Sequence, residues 1–138
     1  MAVSEESLKC TRIAAKSAHE LKATSVFAID VSERLALAEV FLVVSGSSDR
    51  QVRSLVDEVE RALHEAVGLR PVHTEGLGDA RWVLLDYGDL VVHVQQDEDR
   101  DFYALDGRWG DCPSVDLDVP DGQGEAADAG AVDSGATA

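Results

Sequence analysis

The feature that most constrains this chain is the stretch Arg81-Trp82-Val83-Leu84-Leu85-Asp86-Tyr87-Gly88-Asp89-Leu90-Val91-Val92-His93-Val94. It reads as two β-strands joined by a tight turn. Leu84, Leu85, Leu90, Val91, Val92 and Val94 make it too apolar for strands with one wet face, so it suits the middle of a sheet covered on both sides. In Asp86-Tyr87-Gly88-Asp89, the glycine supplies a positive φ and the aspartates can bond their own backbone.

The preceding residues supply the partners such a hairpin needs. Ser4 is an N-cap candidate, with Glu5 and Glu6 in the first turn of a helix, where the dipole favours anions. Leu8, Ala14, Ala15, Ala18 and Leu21 form its apolar face. Val26 to Val31 reads as a strand, and Val40-Phe41-Leu42-Val43-Val44 as the purest buried strand. Ser48 and Gln51 make an S-x-x-Q capping box for a second helix, on which Val52, Leu55, Val56, Val59, Leu63 and Val67 keep the helical period. Gly68 ends it. Pro71 to Gly76 is extended, and Gly76-Leu77-Gly78-Asp79 turns into the hairpin. From Gln95 to Asp101 a short final helix begins, carrying Phe102, Tyr103 and Leu105, and Trp109 to Pro113 closes the folded part. The order αββα, then βββ and a helix, predicts an α/β fold with one sheet of about five strands flanked by helices. The link from Val44 to the strand near Val72 is then a right-handed crossover if those strands are parallel.

A chain of 138 residues is sufficient for one domain with a real core. No apolar run approaches a membrane span of about 20 residues, and the N-terminus lacks the pattern of a signal peptide. Cys10 and Cys112 suit two free thiols in a reducing cytoplasm. The formal net charge is −15, from 12 Lys+Arg and 27 Asp+Glu. Phosphate repels such a surface, so a basic protein is a better partner than nucleic acid. Six of the acids follow Pro113, where no Lys or Arg occurs. The composition of 114–138 offers too little apolar surface to offset ordering, so the expected domain is 1–113 with a disordered acidic tail over 114–138.

Signals for chemistry are sparse. Ser45-Gly46-Ser47-Ser48 opens a helix and could hold an anion, but no lysine of a phosphate-binding loop follows, and an ordinary capped turn explains it. His19, His64, His73 and His93 have no zinc spacing. Asp86 and Asp89 could pair for acid–base work, yet flanking a glycine they are turn formers first. Trp82 and Tyr87 belong either to the core or to a partner surface. No metal, cofactor or catalytic set is expected.

Taken together and in order, Ser45-Gly-Ser-Ser-Asp-Arg-Gln-Val52, His73-Thr-Glu-Gly76, Trp82-Val-Leu-Leu-Asp-Tyr-Gly-Asp89, Val91-Val-His-Val94, Phe102-Tyr-Ala-Leu105 and Trp109-Gly-Asp111 resemble the ribosomal silencing factor, or Iojap, family over about residues 5 to 113. The resemblance implies a nucleotidyltransferase-like mixed sheet. It also implies binding to the large ribosomal subunit through its L-fourteen (uL-fourteen) protein, a block on joining of the small subunit, and lowered translation when nutrients are short. Glu39 stands where the family usually has Asp. Gln95 stands where an aromatic is usual, and Gly107-Arg108 where Arg-Leu is usual, so each removes an apolar anchor. The competing reading is a nucleotidyltransferase-like enzyme, whose Gly-Ser turn would be Gly46-Ser47. Its acid pair has no counterpart on a predicted strand, since Asp57 and Glu58 are mid-helix.

The candidate contact residues for the ribosomal protein are Trp82, Asp86, Tyr87 and Asp89, with Glu75 and Arg50 behind them. Trp82, Leu84 and Asp86 alternate onto one side of a strand, and a buried face would not normally hold an unpaired Asp. The apolar hairpin also admits a homodimer of the free protein.

Overall fold

The computed structural model describes residues 3–97 and 112–119. In order they form α1 (Glu5–Glu20), β1 (Ser25–Asp30), β2 (Val40–Gly46), α2 (Asp49–Val67), β3 (His73–Glu75), β4 (Trp82–Asp86) and β5 (Leu90–Gln96). The strands make one five-stranded mixed sheet in the order β1-β2-β5-β4-β3. Only the central pair, β2 and β5, is parallel. The final helix expected to carry Phe102, Tyr103 and Leu105, and most of the Trp109 to Pro113 closure, lie outside the described residues. Gln95 and Gln96, expected to leave the strand, continue β5 instead.

Both helices start as their sequences dictate. The Ser4 hydroxyl accepts the Ser7 amide, and the Glu39 carboxylate accepts the Ser4 amide at 2.8 Å. That bond lowers the Glu39 pKa below the ordinary carboxylate value. At α2 the Ser48 hydroxyl accepts the Gln51 amide at 3.1 Å. The reciprocal half of the box differs: the Gln51 carboxamide oxygen accepts from the Ser47 amide at 2.7 Å, one residue upstream of the cap. Gly68 stops the helix at φ 72°, where a side chain would be strained.

Both helices pack on one sheet face. Val52, Leu55, Val56, Val59 and Leu63 of α2 are buried, meeting Leu42, Val44, Val83, Leu85, Val92 and Val94 in one core. The buried side of α1 is Cys10, Ala14, Ala15 and Ala18, with Ser7, Thr11 and Ser17. Leu21, assigned to this face by its spacing, is exposed. Small side chains let the helix lie close, and Thr11 and Ser17 return their hydroxyls to the carbonyls of Ser7 and Ala14 at 2.7 and 2.8 Å. Hydroxyls satisfied in this way can be buried at little cost.

The opposite sheet face is divided. Over β1 and β2 a second cluster of Ile29, Val31, Ala38 and Phe41 forms, with Phe27, Leu35, Val91 and Cys112 against it. Coverage on both sides therefore holds for β2, buried throughout, but fails for β4, where Val83 and Leu85 are buried and Trp82, Leu84 and Asp86 are half-buried. The crossover through α2 leads to the far edge of the sheet: β3 runs in the direction of β2 but is separated from it by β5 and β4.

The domain does not end at residue 113. The Pro113 carbonyl accepts the Asp30 amide at 2.8 Å, and the Val115 amide donates to Ala28 at 2.9 Å. Leu117 is buried in the main core, with Val115 and Val119 beside it. Residues 114–119, expected to open a disordered tail, instead cover the outer edge of β1. Leu117 and the alternating valines carry enough apolar surface for this, a signal that the surrounding acids obscure.

Candidate functional site

The side of β4 turned away from the helices carries an aromatic, Trp82, and a carboxylate, Asp86, both half-buried. Register places Trp82 beside Gln95, Leu84 beside His93, and Asp86 beside Val91. Across the other edge, Glu75 pairs with Leu84 and His73 with Asp86. At about 3.3 Å per residue, Trp82 and Asp86 are roughly 13 Å apart along the strand.

The entry to β4 is held firmly. Gly76, at φ +88°, comes so close that an added Cβ would lie 2.1 Å from the Trp82 carbonyl oxygen. Arg53 of α2 donates to the carbonyls of Leu77 and Gly78 at 2.8 and 3.0 Å. The turn that presents Trp82 is thereby tied to the longest helix. The Trp82 indole N–H donates to His93 Nδ1 at 3.0 Å. At the other end of the strand, Asp86 Oδ1 accepts the Gly88 amide at 2.8 Å, which makes Asp86 the turn former its position suggested. Glu75 bonds His73 Nε2 at 2.7 Å at the exposed edge.

The candidates do not all meet. Trp82, Asp86 and Glu75 share this face. Tyr87 does not: it packs against the helix-side core, and burial, with the charge of Glu60, raises its phenol pKa above the ordinary range. Residues of a strand alternate, so Tyr87 follows Val83 and Leu85 inward, and its turn position masked that parity in the sequence. Asp89 is exposed at the hairpin tip, and its backbone oxygen accepts the amides of Glu39 and Val40. Arg50 is exposed on the first turn of α2, over the opposite sheet face. His93, which has no zinc spacing in the sequence, lies on this face, and only hairpin register could reveal its contact with Trp82.

The Gly46-Ser47 turn is closed from within. Gln51 Oε1 accepts from both the amide and the hydroxyl of Ser47, at 2.7 and 3.1 Å, where an anion would bind. Asp57 is exposed on α2, and Glu58 is paired with Arg61 on the same helix. No strand acid lies beside this turn in the register of β2 with β1 or β5.

The sequence matches the family described as "Ribosomal silencing factor during starvation" over residues 4–137. The chain belongs to the ribosomal silencing factor family. It is 38% identical over 107 residues to ribosomal silencing factor RsfS of Bacillus subtilis, covering 78% of this chain and 90% of that one. A crystal structure of a Chromobacterium violaceum protein aligns with a TM-score of 0.71 at 34% identity, covering 75% of this chain and 86% of that chain. A second, from Bacillus halodurans, gives 0.68 at 32% identity, covering 82% and 99%. The family places the chain in translation regulation, as a ribosomal silencing factor. No helix among the described residues is long and apolar enough to cross a membrane.

Proposed function

We propose that this chain silences ribosomes by docking on a large-subunit protein of the L-fourteen (uL-fourteen) class, so that its body blocks joining of the small subunit and lowers translation under nutrient limitation. The carrying observation is the outer side of β4, where an aromatic, Trp82, and a carboxylate, Asp86, lie half-open on a strand whose other side is core. An aromatic anchor with a charged rim is what a protein interface requires. Glu75 extends the acidic rim, with Asp89 at the tip. Tyr87 and Arg50 lie away from this face and are left out of it. The net charge of −15 favours a basic protein surface and opposes direct contact with RNA phosphates.

Silencing of this kind uses no cofactor and no chemical step. It takes place in the cytoplasm, and the free protein pairs as a homodimer through its sheet or its C-terminal segment. Light scattering at micromolar concentration tests the pairing, with a purely monomeric sample removing it. Metal-dependent binding of a nucleoside triphosphate would restore the enzyme reading.

The docking experiment is pull-down of the purified ribosomal protein, with co-sedimentation on separated subunits. Trp82→Ala should cost about 2 kcal/mol or more of binding, and Asp86→Lys should weaken binding by reversing a complementary charge. Circular dichroism checks that each variant is folded. Parental binding by both folded variants would remove this face as the docking surface.

A further inference from the structure

We propose that His93 is a positioning residue for Trp82, its Nδ1 fixing the indole on the outer face of β4 in the orientation that meets the partner protein. The proposal rests on the docking reading above. His93 lies on β5, one diagonal step from Trp82 across the strand pair. The indole Nε1 and the imidazole Nδ1 are 3.0 Å apart, with ring centroids 5.8 Å apart and an interplanar angle of 51°. On the other side, the Phe41 ring of β2 meets the imidazole edge-on at 4.8 Å. Phe41 is buried in the second core cluster, so the histidine is braced from the rigid centre of the sheet. The order of support runs Phe41, His93, Trp82, from buried to half-buried.

The chemistry of the contact is restrictive. An indole N–H can only donate, so Nδ1 must be unprotonated and the ring proton must reside on Nε2. That Nε2 is buried and has no hydrogen-bond partner among the described residues. An apolar side chain of similar volume would avoid this unmet group, so the imidazole is not explained by core packing. What it supplies, and a leucine would not, is an acceptor aimed at Trp82. Burial pushes its pKa down to about 4, which keeps that acceptor available at neutral pH.

The test combines binding with an NMR signature. In the parent, the Trp82 indole N–H resonance, identified by its loss in Trp82→Phe, should be protected from exchange. Nitrogen-15 shifts of His93 should show the Nε2–H tautomer. His93→Leu should abolish the protection and weaken pull-down of the ribosomal protein about tenfold, a loss of about 1.4 kcal/mol. His93→Asn, whose Oδ1 can replace Nδ1 as acceptor, should restore much of both. In a Trp82→Phe background, His93→Leu should have no further effect on binding. Parental binding by His93→Leu when Trp82→Phe is impaired would overturn the positioning role alone, as would an equal loss in both backgrounds. Parental binding by Trp82→Phe and Trp82→Ala together would overturn the docking reading and the positioning role with it. Should His93→Leu fail to fold, the tautomer still decides: an Nδ1–H form in the parent is incompatible with the proposal.

Discussion

Ser114 bridges Ile29 in antiparallel register, so a segment more than 80 residues downstream closes the edge strand of the sheet. Removing residues 114–138 should therefore destabilise the protein. Burial of Leu117 alone is worth about 1.5–3 kcal/mol, and the bond from Val115 to Ala28 adds about 1 kcal/mol. Removing only 120–138, which contains no aromatic and no basic residue, should leave the melting temperature unchanged. Thermal unfolding of the two truncations checks this: the longer deletion should melt several degrees below the shorter one.

Leu55→Ala should destabilise the fold by about 2–5 kcal/mol, because the side chain is fully buried between α2 and the sheet. Arg50→Ala, exposed on the first turn of the same helix, should be nearly neutral. Equal urea midpoints for the two would contradict the orientation of α2.

Gly76→Ala should be more damaging than a surface substitution of its size. The new methyl meets a backbone carbonyl, and the positive φ is unfavourable for alanine. A loss of at least about 2 kcal/mol is expected by chemical denaturation. Gly88→Ala, with φ +93° but open space around it, should cost less.

Stability should fall on acidification below the ordinary histidine range. The folded His93 has its pKa lowered from 6.5 to about 4, so between these values the unfolded chain binds the extra proton. Stability from this group is complete above about 6.5 and drains away toward pH 4, by roughly 3 kcal/mol in total. Glu39, whose pKa is lowered, acts in the same direction but further down, as pH falls through its folded pKa. Urea titrations from pH 7 to 4 should show the first slope in the parent and not in His93→Leu.

Local structure was the most legible level in the sequence. The second helix could be read from Ser48 to Gly68 with its buried face intact, because both its ends and its period are written in short-range chemistry. The first helix was legible as a helix, and Ala14, Ala15 and Ala18 of its expected face are buried, but Leu21 is exposed and Ser7, Thr11 and Ser17 fill the rest of that side, which spacing of apolar residues does not reveal. The far-edge position of β3 was not legible, since nothing within His73–Glu75 specifies which strand it joins. At the candidate site, the alternation of Trp82, Leu84 and Asp86 could be read directly. Tyr87 was misplaced because a residue next to a turn keeps the strand's parity, and the contact of His93 with Trp82 emerged only once the register was known.

The parallel pairing of β2 with β5 bears on how the protein is made. Val40 is register partner to Leu90 and Gly46 to Gln96, about fifty residues later in the chain. The middle of the sheet therefore has no second strand until nearly all the domain has been synthesised, and β1 gains its outer cover later still, from residues 113–115. Contacts this distant in sequence pair slowly, because the loop between them must first be closed. During translation, β1 and β2 can form only an apolar hairpin with two edges waiting, that of β2 for β5 and that of β1 for residues 113–115, so a chain of the ribosomal silencing factor family closes its own sheet late in its passage off a ribosome.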